Sequence, residues 1–327
     1  MTTKKTALKF VSAIGAAALM LSGTAALGQA YPSKPIRILV HVPPGSAPDI
    51  TARVVGEKLA ESMGQAVVID NHPGAGGNIA SDIVAKAPPD GYTLALCVDS
   101  QLVINPHVYN KMPFDALRDL VPVATLASNE FFLLANPDAP FKTFKEFIDY
   151  AKKANPPLNY ASGGNGSQHQ LTMEMLKARA GIKMVHVPYK GAGPATLATI
   201  AGEVPIEFAG SSASPQVKAG KLRALATAGK KRSPAMPDVP TIAEFYPGFN
   251  NSIWLGLCAP RGTPDAVLGK LRTEINKALA SNEVKDKFSK GGALEPMITT
   301  PEEFSAMIRA DYDKYGKVVK DIGVKLD

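Results

Sequence analysis

Cysteine is scarce in this chain, which has two among 327 residues, Cys97 and Cys258. Each lies in an apolar run, and neither has another cysteine or a histidine at the spacing of metal ligands. This pattern predicts two buried thiols in neighbouring strands rather than a metal site or a catalytic thiol pair. A disulfide between them stays open as an alternative if the chain folds in an oxidising compartment. We predict no metal and no cofactor.

Motifs of known catalytic sites are also missing. The sequence contains no G-x-S-x-G, H-E-x-x-H or G-x-x-x-x-G-K-[ST] motif. Residues 74–80 approach the dinucleotide fingerprint, but Ile79 occupies the last small position, and three residues separate the preceding strand from the first glycine. Ser167 and His169 lie two residues apart on one short turn. This spacing is typical of a helix N-cap residue and its neighbour, and not of a catalytic nucleophile and its base. We predict that the chain is not an enzyme, with an exported α/β hydrolase or oxidoreductase as the alternative.

Long apolar runs are missing beyond the amino terminus. Three lysines precede an apolar stretch at residues 10–21, and small residues follow up to Ala30. We interpret residues 1–30 as a signal peptide cleaved before Tyr31, because the apolar stretch is shorter than the roughly 20 residues that a membrane span needs. An uncleaved anchor is the alternative interpretation. The mature protein is therefore predicted to be exported and soluble.

Charge of one sign is not concentrated in the mature chain. Loss of three leader lysines and no acids lowers the formal net charge from +7 to +4. The remaining basic residues are dispersed except in residues 218–232, a segment without interleaved aromatic residues. We therefore predict a solvated basic face there and no nucleic-acid partner. The mild positive charge suits a small acidic ligand, attracted over a screened distance of about 10 Å.

The stretch at residues 36–53 shows the pattern that the chain repeats. A β-branched apolar run ends at a Pro-Pro-Gly turn, and helical periodicity then begins with Ile50. Ser46 or Asp49 can cap this helix. Its free N–H groups then form an anion-binding site where the strand ends. Two further strands follow with the same order of elements. This βαβαβ order predicts a parallel sheet whose ligand loops meet at the carboxyl ends of its strands.

The length of the mature chain predicts two lobes, because 297 residues exceed one comfortable hydrophobic core. Two long extended runs, at residues 121–135 and 249–260, flank a second set of strand–turn–helix units. We predict an α/β fold in which lobe 2, residues 131–248, is inserted into lobe 1, residues 31–130 and 249–327. The two crossing strands are predicted to act as a hinge beside a cleft.

Polar and glycine-rich turns follow strands in both predicted lobes. They lie at residues 44–49, 76–78 and 100–101 in lobe 1, and at residues 164–169 and 189–193 in lobe 2. Each supplies backbone N–H groups with few competing carboxylates, and glycine lets a ligand approach the main chain closely. These turns predict a cleft that binds an anion between the lobes.

Several longer segments, taken in order, show a resemblance to a known family. They read YPSKPIRILV, PPGSAPDITAR, NHPGAGGNIASDIVAKAPPDGYTL, INPHVY, GNGSQH, HVPYKGAGPATLATIAGEV, KAGKLRALA, PDVPTIAE and WLGLCAPRGTP. Nearly from end to end, the chain resembles the substrate-binding proteins of tripartite tricarboxylate transporters, also called TctC or Bug proteins. The resemblance implies a two-lobe periplasmic binding protein fold, type 2-like, that closes on a mono-, di- or aromatic carboxylate. It further implies a periplasmic monomer that delivers this ligand to membrane permease subunits or serves a sensor protein.

The resemblance also carries ligand-binding roles onto this sequence. The implied ligand-binding residues are Pro44, Gly45, Ser46, Ala47, Asp49, Gly77, Asn78, Ser100, Gln101, Gly166, Ser167, His169, Tyr189, Lys190, Gly191, Ala209 and Gly210. Two segments depart from the family pattern. Residues 46–49 read Ser-Ala-Pro-Asp, where many members have a second glycine and a threonine or serine before the aspartate. Ala209 and Gly210 stand where many members have Asp-Asn, and loss of that acid predicts room for a larger or more anionic ligand.

Overall fold

The computed structural model describes residues 31–290 and 294–326. The predicted signal peptide falls on residues 1–30 and lies outside the described residues. Within the described ranges, no helix is both long enough and apolar enough to cross a membrane. These ranges form two β-sheets with helices packed against them.

The strands of the described chain divide between a six-stranded and a five-stranded sheet. In chain order they are Ile36–Val40 (β1), Val67–Asn71 (β2), Thr93–Val98 (β3), Leu120–Asn129 (β4), Phe131–Ala135 (β5), Leu158–Ser162 (β6), Met184–Pro188 (β7), Ile206–Gly210 (β8), Arg223–Thr227 (β9), Ile253–Pro260 (β10) and Glu295–Pro296 (β11). The first sheet has the order β11-β4-β10-β3-β1-β2, and the second has the order β7-β6-β8-β5-β9.

The first sheet begins as the sequence predicts. Strand β1 pairs in parallel with both β2 and β3, which confirms the predicted βαβαβ start. Strand β10 then pairs antiparallel with β3 and with β4, so the complete sheet is mixed. The continuous apolar run of β1 has a structural reason. Ile36, Ile38 and Val40 pack on one face of the sheet and Leu39 packs on the other, so both faces of this strand are buried.

The second sheet combines parallel and antiparallel pairs. Strand β6 pairs in parallel with β7 and β8, while β5 runs antiparallel between β8 and β9. Along β5, Phe131 and Leu133 join one apolar cluster, and Phe132 and Leu134 join another. This alternation places the strand between two packed layers.

Two segments connect the sheets. Strand β4 ends at Asn129 in the first sheet, and β5 begins two residues later at Phe131 in the second. On the return path, the Asn251 N–H donates to the Ala228 carbonyl (2.8 Å), and Ile253 opens β10 opposite Asn129. The insertion of lobe 2 into lobe 1 through two crossing strands is therefore confirmed. Below, lobe 1 denotes the first sheet with its helices and lobe 2 the second; the exact boundaries at residues 130 and 249 stay predictions.

The α-helices of the described residues accompany the strands of both sheets. They are Ala47–Met63 (α1), Asn78–Ala85 (α2), Asn105–Val108 (α3), Phe144–Lys153 (α4), Gln168–Ala180 (α5), Ala192–Ile200 (α6), Ser214–Lys218 (α7), Asp265–Ala280 (α8), Asn282–Lys290 (α9) and Pro301–Ile322 (α10). Helix α1 begins three residues before Ile50, where the predicted helical periodicity starts, because Ser46 is its N-cap residue. Ser167 is likewise the N-cap residue of α5.

The two cysteines are buried free thiols. They lie in the paired strands β3 and β10, where Cys97 is opposite Gly256 and Cys258 is opposite Ala95. The prediction of buried thiols in neighbouring strands is thus confirmed, and the alternative of a disulfide is not what the structure shows. Burial raises the pKa of Cys97 well above its usual value, which keeps this thiol protonated and unreactive.

Candidate functional site

A cavity of about 470 Å³ lies between the two lobes. Its wall combines the ends of β1 and β3, the turn before α2, the segment around α3, the first residues of α5 and α6, and the crossing strands. The residues that line it are His41, Val42, Pro48, Gly76, Val98, Asp99, Ser100, Asn105, Val108, Tyr109, Asn129, Asn165, Gly166, Ser167, Gln168, His169, Ala192, Ile253, Leu255 and Leu326. Four of the predicted ligand-binding residues are among them, namely Ser100, Gly166, Ser167 and His169.

The first predicted turn, at residues 44–49, is organised by a carboxylate. Asp49 is 1% exposed and accepts hydrogen bonds from the Gly45 N–H (2.8 Å), Arg53 Nε (2.9 Å) and Asn71 Nδ2 (2.9 Å). Burial raises the pKa of Asp49, but these hydrogen bonds outweigh it and hold the pKa below its ordinary value. The amide of Gly45 is therefore already occupied, and in this turn Pro48 is the residue that lines the cavity.

The second predicted turn provides support beneath the cavity wall. Gln101 is 0% exposed, accepts from the Val98 N–H (3.0 Å), and donates to the Gly77 carbonyl (3.1 Å) and Ser81 Oγ (2.9 Å). Gly77 has a φ of +96°, and a Cβ there would lie 2.6 Å from Gln101 Nε2. Asn78 Oδ1 accepts from Asn105 Nδ2 (2.8 Å). Gly77, Asn78 and Gln101 thus hold the turn in place and are not among the lining residues.

The end of β3 brings Ser100 to the cavity together with its neighbour Asp99. Asp99 Oδ1 accepts the Ser100 N–H (2.7 Å), and Oδ2 accepts from Gln168 Nε2 on α5 (2.6 Å). Asp99 is 1% exposed. Burial raises the pKa of Asp99 to about 7, against the opposing effect of the Gln168 hydrogen bond. This carboxyl therefore lies at the contact between the lobes.

The turn before α5 forms the lobe 2 side of the cavity. Ser167 is the N-cap residue of α5, and its Oγ donates to the Gly164 carbonyl (2.6 Å). Gly166 has a φ of +71°, and a Cβ there would lie 2.8 Å from Cγ1 of Val108 in lobe 1, so glycine permits this close approach. The His169 ring packs against Phe131 with 5.0 Å between ring centroids.

The other predicted residues of lobe 2 lie beside the cavity. Tyr189, Lys190 and Gly191 precede Ala192, and in that segment Ala192 is the lining residue. Ala209 is 3% exposed and belongs to an apolar cluster of the second sheet. The residue that lines the cavity near Gly210 is Asn129, whose Oδ1 accepts from the N–H and Oγ of Ser211.

Two buried polar atoms of lining residues, His41 Nδ1 and His169 Nδ1, have no hydrogen-bond partner among residues 31–290 and 294–326. Ser100, Tyr109 and Asn165 add further polar side chains to the lining. Burial lowers the pKa of both histidines to about 4, so both imidazoles are neutral near pH 7. Asp99 is the acidic residue of the described lining, which includes no lysine or arginine. The cavity therefore offers neutral hydrogen-bonding groups to a ligand.

Metal chemistry has no support in the described part of the chain, where no group of three His, Cys, Asp or Glu side chains could hold an ion. Residues 51–324 match the sequence profile of the family described as "Tripartite tricarboxylate transporter family receptor". The chain belongs to this receptor family. The resemblance noted in the sequence, to TctC and Bug proteins, is thereby confirmed.

A curated relative and two solved structures support the same assignment. Protein BugT of Bordetella pertussis is 35% identical over 320 residues, which cover 97% of this chain and 96% of BugT. The structure of R. palustris Rpa4515 with adipate has a TM-score of 0.80 and 32% identity, and covers 90% of this chain and 99% of that one. MatC of Rhodopseudomonas palustris with bound malate has a TM-score of 0.74 and 30% identity. The match covers 88% of this chain and 100% of the MatC chain. The two-lobe fold of the receptor family is confirmed by these similarities.

Sequence reasoning missed several residues that line the cavity of this receptor-family protein. Asp99 and Gln168 were detectable in principle, because they adjoin the predicted residues Ser100 and Ser167 at the ends of a strand and of a turn. Tyr109 and Leu326 had no local signal, because they reach the cavity through the β-bridge that pairs Tyr109 with Leu326. His41 directly follows β1, where the sequence directed attention to the later Pro-Pro-Gly turn.

Proposed function

We propose that this chain is a solute-binding protein that captures an organic carboxylate in the cavity between its lobes and leaves it chemically unchanged. The observation that carries the proposal is the pair of buried, unpartnered imidazole nitrogens, His41 Nδ1 from lobe 1 and His169 Nδ1 from lobe 2, in a cavity that polar residues of both lobes line. A carboxylate accepts several hydrogen bonds at once, and hydroxyl, amide and imidazole N–H groups are suitable donors. The dicarboxylates named with two related structures, adipate and malate, support this ligand class.

The expected affinity follows from the number of donors. A hydrogen bond to a charged group contributes roughly 1.5–3 kcal/mol, so a few of them provide a binding free energy of about −8 kcal/mol after ordering costs. That free energy corresponds to a micromolar dissociation constant. The binding protein of a transporter has to release its ligand, and this moderate affinity is consistent with release.

Lobe closure is the second part of the proposal. Because His41 and Ser100 belong to lobe 1 and Ser167 and His169 to lobe 2, a ligand that contacts both sets stabilises the state in which they are close. The predicted ligand-binding residues in the turns at 44–49 and 189–193 lie next to the lining residues Pro48 and Ala192. We propose that closure brings these two turns onto the ligand. The carboxylate clamp predicted from the sequence thus stays a proposal for the closed state.

Delivery is the third part. The family consists of receptors of tripartite tricarboxylate transporters, so we propose that the protein is exported to the periplasm and hands its ligand to membrane permease subunits. A sensor protein is the alternative partner. Uptake of labelled ligand into vesicles that contain the permease, measured with and without this protein, distinguishes the two. Uptake that is independent of the protein would contradict a transport role.

The binding proposal is tested by a ligand screen. Thermal-shift measurements with adipate, malate, acetate and benzoate should show an increase in melting temperature for at least one of them, because a ligand of the native state stabilises it by mass action. Calorimetry then gives the affinity, and NMR of the mixture should show unchanged ligand after prolonged incubation. No binding by any carboxylate, or formation of a product, would overturn the proposal.

The alternative of a serine hydrolase finds no support in these contacts. Ser167 Oγ donates to the Gly164 carbonyl and accepts from the Gln170 N–H, as expected of a helix cap. His169 Nδ1 has no partner among the described residues. A second serine–histidine pair, Ser162 Oγ and His186 Nε2 at 2.5 Å, lies outside the cavity lining, and Ser162 also bonds Gly164. Assays with ester and nicotinamide substrates should therefore show no turnover.

A further inference from the structure

A network of buried polar side chains connects the lobes beside the cavity. Gln168 Nε2 of lobe 2 donates to Asp99 Oδ2 (2.6 Å) and to the Tyr315 hydroxyl (3.0 Å), both in lobe 1. Tyr315 in turn donates to Asn251 Oδ1 on the crossing segment, and Asn251 Nδ2 donates to Thr172 Oγ1 of α5. All five side chains are at most 7% exposed. Of these five, Asp99 and Gln168 also line the cavity.

Asp99 is the group of this network whose charge can change near neutral pH. Helix α10 faces it with Tyr315 and with the ion pair of Asp311 and Lys314 (2.7 Å), of which Asp311 raises the pKa of Asp99 and Lys314 lowers it. Burial raises the pKa of Tyr315 well above its usual value, so this phenol stays neutral.

The other titratable groups around the cavity are also neutral at this pH. His41 follows β1 and His169 lies on α5, and burial lowers the pKa of each to about 4. Asp99 therefore contributes the variable charge of the described cavity lining near pH 7.

We propose that Asp99 takes up a proton when an anionic ligand enters the cavity, so that carboxylate affinity rises as the pH falls. This inference rests on the proposed function, and it adds that the ligand must be anionic and is recognised by the protonated form of Asp99. It also makes Asp99 a residue that determines specificity, because a ligand without negative charge would not need the proton.

The physical reason is repulsion between like charges in a poorly solvated space. Two carboxylates that share one site cannot both ionise freely, so the second charge raises the pKa of the first. The pKa of Asp99 is already about 7 in the empty cavity, so protonation there requires little free energy at neutral pH. A nearby ligand carboxylate raises it further.

The bridge between the lobes is compatible with both protonation states. When Asp99 is ionised, it accepts from Gln168 Nε2 as observed. When Asp99 is protonated on Oδ1, its carbonyl oxygen Oδ2 still accepts from Gln168 Nε2, because a protonated carboxyl keeps acceptor capacity beside its one O–H donor. Proton uptake thus removes the charge and preserves the contact between the lobes.

The expected pH dependence follows from the fraction of protein that is protonated at Asp99. If the ligand binds that fraction alone, apparent affinity should decrease about tenfold between about pH 6 and pH 8 for a pKa near 7. The ligand itself must stay fully ionised over this range. The probe is whichever of adipate, malate, acetate or benzoate binds most tightly in the thermal-shift screen.

The decisive experiment is titration calorimetry of that probe in two buffers of different ionisation enthalpy. The difference in apparent enthalpy gives the number of protons taken up, which should be a substantial fraction of one near pH 7. The variant Asp99→Asn has a neutral side chain of the same shape, so proton uptake on binding should vanish. Its affinity should no longer depend on pH, and at about pH 8 it should exceed the affinity of the wild type. A purely structural role would instead weaken binding at every pH.

Glu207→Gln is the matched control. Glu207 is also a buried carboxyl, 0% exposed, and burial raises its pKa to about 8, but it lies on β8 outside the cavity lining. This variant should retain the proton uptake of the wild type. Binding without proton uptake, or uptake that persists in Asp99→Asn, would overturn this inference alone, whereas absence of binding by every probe at every pH would overturn the proposed function with it.

Discussion

The cavity between the lobes and a second concave region near the hinge share Ile253 but use their polar groups differently. The second region, the hinge groove, has a volume of about 780 Å³ and is lined by residues 128, 130, 230, 231, 250, 252–254, 296, 297, 299, 303, 306, 307, 310, 311 and 314. Asn129 and Leu255 line the cavity, whereas Ser128 and Trp254 line the groove. Since alternate residues of a strand face opposite sides, the two spaces lie on opposite faces of the crossing strands.

The hinge groove is the larger space, yet its charges largely balance one another. It contains the cations of Lys230, Lys231 and Lys314 and the carboxylates of Glu130, Glu303 and Asp311. Asp311 binds Lys314 (2.7 Å) and the Trp254 indole N–H (2.9 Å), and Glu303 accepts the Thr300 N–H (2.8 Å). The smaller cavity instead holds two buried imidazole nitrogens without partners in the described chain, one from each lobe. Available donors, more than volume, therefore distinguish a site for an anion.

The largest difference between the two regions should come from a negative charge in the cavity. Ser167→Asp should reduce carboxylate affinity by at least about a hundredfold, because the described lining offers no lysine or arginine to compensate the repulsion. Aspartate is also a good N-cap residue, so the fold should persist, as circular dichroism can check. Ser167→Asn, which is similar in size and neutral, should lose no more than about tenfold. Retained affinity in Ser167→Asp would remove this turn from the site.

The second effect concerns the stability of the empty protein. Because burial raises the folded-state pKa of Asp99 to about 7, the native state holds a proton that the unfolded state releases near pH 4, so stability should decrease as the pH rises through this window. The expected loss is on the order of 4 kcal/mol, from about three pKa units at about 1.4 kcal/mol each. Urea unfolding at several pH values should show a flatter profile for Asp99→Asn. If the wild type and Asp99→Asn gave parallel profiles, the pKa of Asp99 in the folded protein would be lower than about 7.

A smaller effect is expected for the unpartnered imidazole of lobe 2. His169→Phe preserves ring packing against Phe131 and removes both ring nitrogens, so affinity should decrease about tenfold through loss of one hydrogen bond to a charged ligand. In the hinge groove, Lys231→Ala should leave affinity within about twofold, although it removes a full charge. Calorimetry of both variants tests the comparison directly, and equal losses would contradict it.

The network beside the cavity should contribute modestly to stability. Tyr315→Phe removes a hydroxyl that accepts from Gln168 and donates to Asn251, so the free energy of unfolding should decrease by about 1–2 kcal/mol. Tyr312→Phe on the same helix is the control. No hydrogen bond of the Tyr312 hydroxyl exists within the described ranges, and its loss should cost less than about 0.5 kcal/mol. Similar values for both variants would exclude an energetic role of the network.

The smallest effect is expected for a negative charge in the hinge groove. Ser252 donates to Asn250 Oδ1 (3.3 Å) and lines the groove outside the cavity. Ser252→Asp adds the same charge as Ser167→Asp, but the basic residues nearby and solvent screen it, so affinity should change less than about twofold. A loss comparable to that in Ser167→Asp would show that the groove participates in ligand binding.

The sequence was most informative where structure is local. The apolar run of β1 predicted a buried strand, because burial on both faces leaves a continuous run of apolar residues in the sequence. The first crossing segment was predicted from the long extended run at residues 121–135, and the structure divides this run at Glu130, between β4 and β5. The second extended run, at residues 249–260, predicted the insertion of lobe 2 into lobe 1.

The candidate site was only partly predictable. Ser100, Gly166, Ser167 and His169 follow strand ends, and the fold brings strand ends of both lobes to the cavity. Gln101 has the same sequence signal, yet its side chain turns away and supports the Gly77 turn. Which of two adjacent polar residues faces the ligand depends on side-chain direction, and the sequence pattern does not contain that information.

The sequence by itself determined the alternation of strands, turns and helices, the two lobes, and the family, because each leaves a local or ordered pattern of residues. Only the tertiary structure decided which polar atoms remain without partners and which carboxyl titrates near neutral pH. Asp99 owes its burial and its hydrogen bond to Gln168 in the other lobe and to residues of α10, such as Tyr315 and Asp311. Desolvation and charge at one atom depend on groups that are distant in the chain, so they appear only once the lobes have packed together.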